Sequence, residues 1–182
     1  MKLMIISDIH GSYDDLEKVL KIYELEQPDQ LVILGDILYH GPRNDLPEGY
    51  APKKVIPALN AIKDKIIAVR GNCDAEVDQM VLDFPMQGDY TTMYVDNHRF
   101  FITHGHLYDE KNFPYLNKGD VYIYGHYHVP VLEEKPDGVY RVNPNSIALP
   151  KQGEKSFLIY ENEEFTLYNL ENKPIKKMII HN

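Results

Sequence analysis

The sequence predicts an α/β protein built from two sheets. Three observations lead there. In the first half, apolar runs alternate with helical periodicity as β-α-β-α-β; the second half is short β-rich segments separated by turn residues; and the composition of the 182 residues shows no division into units. Residues 1–182 therefore read as one domain.

Residues 2 to 7 form an apolar run stopped by Asp8, the pattern of a buried strand that ends where a site could begin. Ser12 and Asp15 form a capping-box pattern, and Leu16, Val19, Leu20 and Tyr23 follow at helical spacing. Gln30 to Leu34 is a second apolar run, stopped by Gly35 and Asp36. Pro52 opens a helix whose Val55, Ile56, Leu59 and Ile62 share a face, and Lys65 to Val69 is a third strand, stopped by Arg70 and Gly71. A βαβαβ series implies a parallel sheet with polar residues gathered at the carboxyl ends of its strands, here Asp8, Asp36 and Asn72. After residue 88 the expected strands are Thr91 to Val95, Phe100 to Thr103, Val121 to Tyr124, Val139 to Val142, Ser156 to Tyr160 and Phe165 to Tyr168. With turn signals between them, they suggest a second, largely antiparallel sheet. The Gly- and Pro-rich residues 40 to 51 read as a surface loop beside the site.

A net charge of -9 argues against a protein that follows an extended nucleic acid, whose binding rests on many Lys and Arg contacts to phosphate. A small substrate fits better. No apolar stretch approaches the ~20 residues of a membrane span, and Leu3 to Ile6 is too short for a signal-peptide core. Cys73 is the one cysteine, which suits a reducing compartment. The expectation is a cytoplasmic protein without a membrane partner.

The chemistry-bearing residues fall in five segments, each after an apolar run: Asp8-Ile9-His10, Gly35-Asp36, Gly71-Asn72-Cys73-Asp74, His104-Gly105-His106 and Gly125-His126-Tyr127-His128. Each has a plain explanation when taken singly. Asp8 could cap a helix, Asp36 could close a turn, Asn72 could occupy a left-handed turn, and a lone His is more often structural than a ligand. Together they are carboxylate, amide and imidazole groups at strand ends, a donor set suited to Zn, Mn, Fe or Ni, while the lack of clustered thiols argues against a Cys-based site.

The series D-x-H, G-D, G-N-x, H-G-H and G-H-x-H, in this order, resembles the calcineurin-like metallophosphoesterases. The likeness extends to the small bacterial phosphodiesterases of the YfcE type, which share Gly35-Asp36, His40-Gly41-Pro42-Arg43-Asn44 and Gly71-Asn72-Cys73-Asp74. The resemblance covers essentially the whole chain. It implies a four-layer αββα sandwich of two mixed sheets flanked by helices. It also implies a dinuclear site with two divalent transition-metal ions per chain, Mn2+ first and Zn2+, Fe2+ or Ni2+ as alternatives. On that pattern Asp8, His10, Asp36 and His128 hold one ion. Asp36, Asn72, His104 and His126 hold the other, with Asp36 bridging, and hydroxide held by the metals attacks a small or nucleotide-like phosphodiester.

Cys73 stands where many phosphomonoesterases of the superfamily carry His. A thiol assists a leaving group less than an imidazolium does, so a diester is the expected substrate; the alternative is that Cys73 only fills space. Arg43 could clamp a phosphate or form a surface ion pair, and His40 could face the same cleft. His106 could support the site or replace His104 as the ligand. His98 in a turn and His181 at the terminus are expected bystanders. Asn145 stands where relatives usually have Gly, and Asn tolerates the left-handed backbone such a turn requires. Two other readings are carried: a non-catalytic interaction scaffold like the retromer subunit Vps29, which shares the fold, and a phosphomonoesterase. A homo-oligomer is also expected from the resemblance, with Tyr or Phe near 113 to 115 as contacts.

Overall fold

Apolar residues alternate faces along the three strands that open the chain, β1 (Leu3–Ile6), β2 (Gln30–Ile33) and β3 (Ile66–Ala68), which pair in parallel. The computed structural model describes residues 1–181. Helices α1 (Tyr13–Glu26) and α2 (Pro52–Asn60) make the crossovers. Met4, Ile6, Leu31 and Ile33 face these helices, where Leu16, Val19, Val55 and Leu59 cover them. Leu3, Ile5 and Val32 point the other way, into a second core. Pro52 sits in the first turn of α2, where its missing N–H costs nothing. The capping-box pattern at α1 does not close on the backbone; Ser12 Oγ lies instead 2.8 Å from both Asp15 Oδ2 and the Glu48 carbonyl oxygen, with one proton to give to either, and so ties the helix start to the following loop.

The second half supplies β4 (Tyr90–Val95), β5 (His98–Thr103), β6 (Val121–Ile123), β7 (Val131–Glu134), β8 (Tyr140–Asn143), β9 (Ser156–Glu161), β10 (Glu164–Asn169) and β11 (Pro174–Ile179). Two sheets result, in orders β11-β10-β9-β1-β2-β3 and β4-β5-β6-β8-β7. Both are mixed. The expected division into a parallel and a largely antiparallel sheet is corrected in two respects. Strand β9 runs antiparallel beside β1 and brings β10 and β11 into the first sheet, and β5, β6 and β8 are mutually parallel. Strands β7 and β11 were not expected. Each lies at the edge of its sheet, β7 with half of its residues exposed and β11 with most, so neither carries a strong apolar alternation.

The sheets pack face to face over Leu3, Ile5, Val32, Phe100, Ile102, Val121, Ile123 and Val142. Helices cover the outer face of the first sheet. Among the described residues no helix covers the outer face of the second; Tyr108, Phe113 and Leu116 of the segment before β6 lie over Phe101 and Tyr122 instead. Among the described residues no helix is long and apolar enough to cross a membrane.

Candidate metal centre

The carboxyl ends of β1, β2, β3, β5 and β6 meet above the inter-sheet core, and there the backbone turns sharply. Asp8, His10, Asp36, His126 and His128 all take left-handed conformations, with φ of 54°, 47°, 53°, 65° and 55°. Non-glycine residues adopt this region at a cost, and such strain collects where side chains must be aimed. Two glycines permit the close approach. A Cβ on Gly71 would run into Asp36 Oδ1, and one on Gly125 would run into Ser7 Oγ.

Three imidazoles are held in one manner. The Nδ1 atoms of His10, His104 and His128 lie 2.9, 2.6 and 2.5 Å from the carbonyl oxygens of Tyr39, Leu34 and Leu149. With Nδ1–H donating to the backbone, each Nε2 is directed inward, the arrangement that orients metal-binding histidines. His128 Nε2 lies 3.1 Å from Asp8 Oδ1 and 3.2 Å from His10 Nε2. His104 Nε2 lies 3.4 Å from Asp36 Oδ2 and 3.1 Å from Asn72 Oδ1. Asp36 Oδ2 is also 3.8 Å from His10 Nε2, so it stands between the two groups. Asp8, His10 and His128 form one set of donors close enough to share an ion, and Asp8, Asp36 and His104 form another.

The electrostatics follow from packing so many groups out of water. Burial opposes charge on Asp8, but the hydrogen bond with His128 and the positive field of the neighbouring imidazoles hold its carboxyl below the usual range. Burial likewise opposes the His104 cation, yet Asp36 and Asp8 push it up to about 9. His126 goes the other way, pushed down to about 4 by burial and by His104. Such opposed shifts mark a site built to hold charge.

The remaining residues differ in their fit. His126 lines the cleft with its ring centroid 5.1 Å from that of His104, and its backbone N–H donates to Asp8 Oδ2 at 3.0 Å, but its ring nitrogens fall outside the tight donor sets found among the described residues. Cys73 Sγ does approach His10 and Asp36, and burial followed by the Asp36 charge pushes its thiol up to about 12. Arg43 is exposed on the wall of the same 630 Å³ cleft and has no carboxylate partner among the described residues. The His40 ring packs edge-on against Tyr39 and Tyr50 and is not among the residues lining the cleft, which include Tyr39 and Gly41 to Asn44 on either side of it. His106 stacks edge-on beside His104 without reaching the carboxylates in the manner of His104. His98 is not in a turn but begins β5, buried, with Nδ1 bonded to the Gly119 carbonyl.

Several positioning residues escaped the sequence reading. Asp74 accepts the backbone N–H groups of Asp36, Ile37 and Gly71 at 2.7 to 2.8 Å, locking the ends of β2 and β3 together. Ser7 Oγ donates to Asp8 Oδ2, and Ser146 Oγ donates to the Asp8 carbonyl from 138 residues away. The only available sign was Asp74 beside Gly71-Asn72-Cys73. Asn145 has φ of 72°, the left-handed turn expected for it.

Comparison with known proteins agrees with this geometry. Residues 1–164 match the family model for the calcineurin-like phosphoesterase superfamily domain. The chain is 47% identical over 176 residues to phosphodiesterase YfcE of Escherichia coli K12, covering 96% of this chain and 95% of the relative. A solved structure of YfcE, a phosphoesterase from E. coli, superimposes with a TM-score of 0.96 at 46% identity over 100% of both chains. Phosphodiesterase MJ0936 of Methanocaldococcus jannaschii is 30% identical over 79% of this chain and 82% of its own. Vps29 of Entamoeba histolytica, solved in complex with zinc, shares the fold with a TM-score of 0.61 at 16% identity, covering 99% of this chain and 98% of that one.

Proposed function

The chain belongs to the calcineurin-like phosphoesterase superfamily, and on that ground we propose that it is a metal-dependent phosphodiesterase acting on a small or nucleotide-like diester at a dinuclear centre. The observation that carries the reading is the inward convergence of imidazole nitrogens on shared carboxylates, with His10 Nε2 and His128 Nε2 3.2 Å apart. Two ring nitrogens so close must share a proton or a cation, and the donor set is the borderline kind that suits a divalent transition ion. Asp8, His10, Asp36 and His128 would hold one ion and Asp36, Asn72, His104 and His126 the other, with Mn2+ as the first choice. When bound, such a pair of ions acidifies water and neutralises charge on phosphoryl oxygens.

The chain's own groups then do specific work. The Nδ1–H bonds of His10, His104 and His128 keep these rings in one tautomer. Asp74 fixes the backbone of Asp36 through its N–H, and with it the carboxylate that would be shared between the two ions. Arg43, on the cleft wall and without a carboxylate partner among the described residues, would hold a non-bridging phosphate oxygen. Cys73 presents a neutral thiol, which donates little to a leaving alkoxide and so favours a diester over a monoester. A scaffold with a degraded site would lack one or more of these donors; here each position is filled. The net charge of -9 supports a compact substrate rather than extended nucleic acid, and the lone cysteine supports a cytoplasmic setting. A homo-oligomer belongs to the same reading.

The test is a metal-by-substrate grid on metal-stripped protein. Activity on bis(p-nitrophenyl) phosphate should be absent without metal and return with Mn2+ or a similar ion, but little with Ca2+, which prefers six to eight oxygen ligands. Full turnover in excess chelator, with metal removal verified, would overturn the dinuclear reading.

A further inference from the structure

A second cleft of about 440 Å³ opens on the outer face of the second sheet, and Tyr127 lines both it and the metal cleft. Its floor follows from strand register. Tyr122 on β6 pairs with Arg141 on β8, so the two side chains stand on the same outer face, and Tyr124 lies two residues further along. Tyr122 and Tyr124 stack with centroids 4.7 Å apart, Tyr127 meets Tyr124 edge-on at 5.9 Å, and the Arg141 guanidinium lies 4.0 Å from the Phe113 ring. The result is an aromatic wall that begins beside His126, whose ring is 5.1 Å from that of Tyr127.

We infer that this groove is a subsite for the planar alcohol half of the diester, a nucleoside being its biological form. The inference rests on the diesterase reading above for the placement of the phosphate, and deepens it by naming the group attached to that phosphate. Three features select this occupant. The groove adjoins the metal cleft at Tyr127, which lines both, so a diester held at one has its attached group beside the other. The lining carries acidic Asp109, Glu110 and Glu133 against basic Lys111, Lys135 and Arg141, a balance that suits an uncharged group and disfavours a second phosphate. The faces and edges of aromatic rings favour stacking partners, and the hydroxyls of Tyr124 and Tyr127 bond to no protein group among the described residues, leaving them for a heteroaromatic edge.

The experiment compares two diesters with the same leaving group, methyl p-nitrophenyl phosphate and thymidine 5′-(p-nitrophenyl) phosphate, on Mn2+-loaded protein. The thymidine diester should show a KM on the order of tenfold lower, as stacking of one base would give. Val131 lies half-exposed on the groove wall, and Val131→Trp should fill it and raise KM for the thymidine diester to that of the methyl diester, which does not reach the groove and serves as internal standard. A second arm needs no metal: thymidine alone, titrated into metal-free protein and followed by NMR shifts, should bind the parent and not Val131→Trp. Equal KM values for the two diesters together with no thymidine binding would overturn the subsite. Failure to hydrolyse either diester, with thymidine still bound and displaced by Val131→Trp, would instead overturn the diesterase reading and leave the groove standing. Tyr124→Phe, which keeps the ring and removes a free hydroxyl, gives a milder second variant expected to weaken thymidine binding in the same assay.

Discussion

Two neighbouring regions of this molecule are equally closed to water and chemically opposite. Between the sheets, Leu3, Ile5, Phe100, Ile102 and Ile123 are fully buried and wholly apolar. Just above, at the strand ends, Asp8 and His104 are 0% exposed and Asp36 is 2% exposed, yet they are ionisable and crowded together. Burying apolar surface stabilises the fold by ~25 cal/mol per Å². Burying charge opposes it unless the groups are paired or bind an ion. The core supplies the stability that lets the strand ends hold a strained, charged cluster.

The widest separation between the regions should appear when one residue is changed in each. Asp36→Asn, which removes the carboxylate standing between His10 and His104, should lower activity about a thousandfold and, on the dinuclear proposal, deplete both ions, more than His10→Ala does, while circular dichroism stays that of the parent. Phe100→Ala should do the reverse. It should cost roughly 3 to 5 kcal/mol in denaturant unfolding while each folded molecule turns over near the parent rate. Should Asp36→Asn bind two metals and react normally, the bridging assignment is wrong; should Phe100→Ala lose activity in the folded state, the regions are not separable.

A smaller effect lies at the boundary. Cys73 brings its sulfur within 4.8 Å of His10 and Asp36, and burial, then the Asp36 charge, pushes its thiol up to about 12. Cys73→His should raise kcat/KM for p-nitrophenyl phosphate relative to bis(p-nitrophenyl) phosphate by about tenfold and introduce a new ionisation into the pH profile. An unchanged ratio and profile at intact metal content would assign residue 73 to packing alone.

The smallest expected effect extends the comparison to the surface. Lys2 Nζ bonds Glu26 Oε2 at 2.7 Å, and this bond, then that from Asn172, holds the Glu26 carboxyl below its usual range against a weaker effect of burial. A depressed carboxyl contributes stability at neutral pH that is lost as pH falls through its folded value. Glu26→Gln should therefore cost less than about 1 kcal/mol at pH 7, and the difference should vanish in acid. A persistent difference in acid would assign the effect to packing.

The sequence by itself determined the early strands and helices, because a two-residue or helical period of apolar residues is a local property, legible at Leu3 to Ile6 and along Leu16, Val19 and Tyr23. It also determined that Asp8, His10, Asp36, His104 and His128 would come together, since each follows an apolar run and strand ends in such a fold converge. The left-handed turn at Asn145 was legible for the same local reason. Tertiary structure alone decided that β9 pairs with β1 rather than with the second sheet, since a strand's partner depends on residues far along the chain. It decided that His10 faces the cleft while His40 packs between two tyrosines, because ring direction is set by neighbours and not by spacing. It also decided that Ser146 reaches the Asp8 carbonyl and that Tyr122, Tyr124 and Tyr127 build a groove, because a contact across more than a hundred residues, or a wall assembled from two strands and a loop, leaves no periodic trace in the sequence.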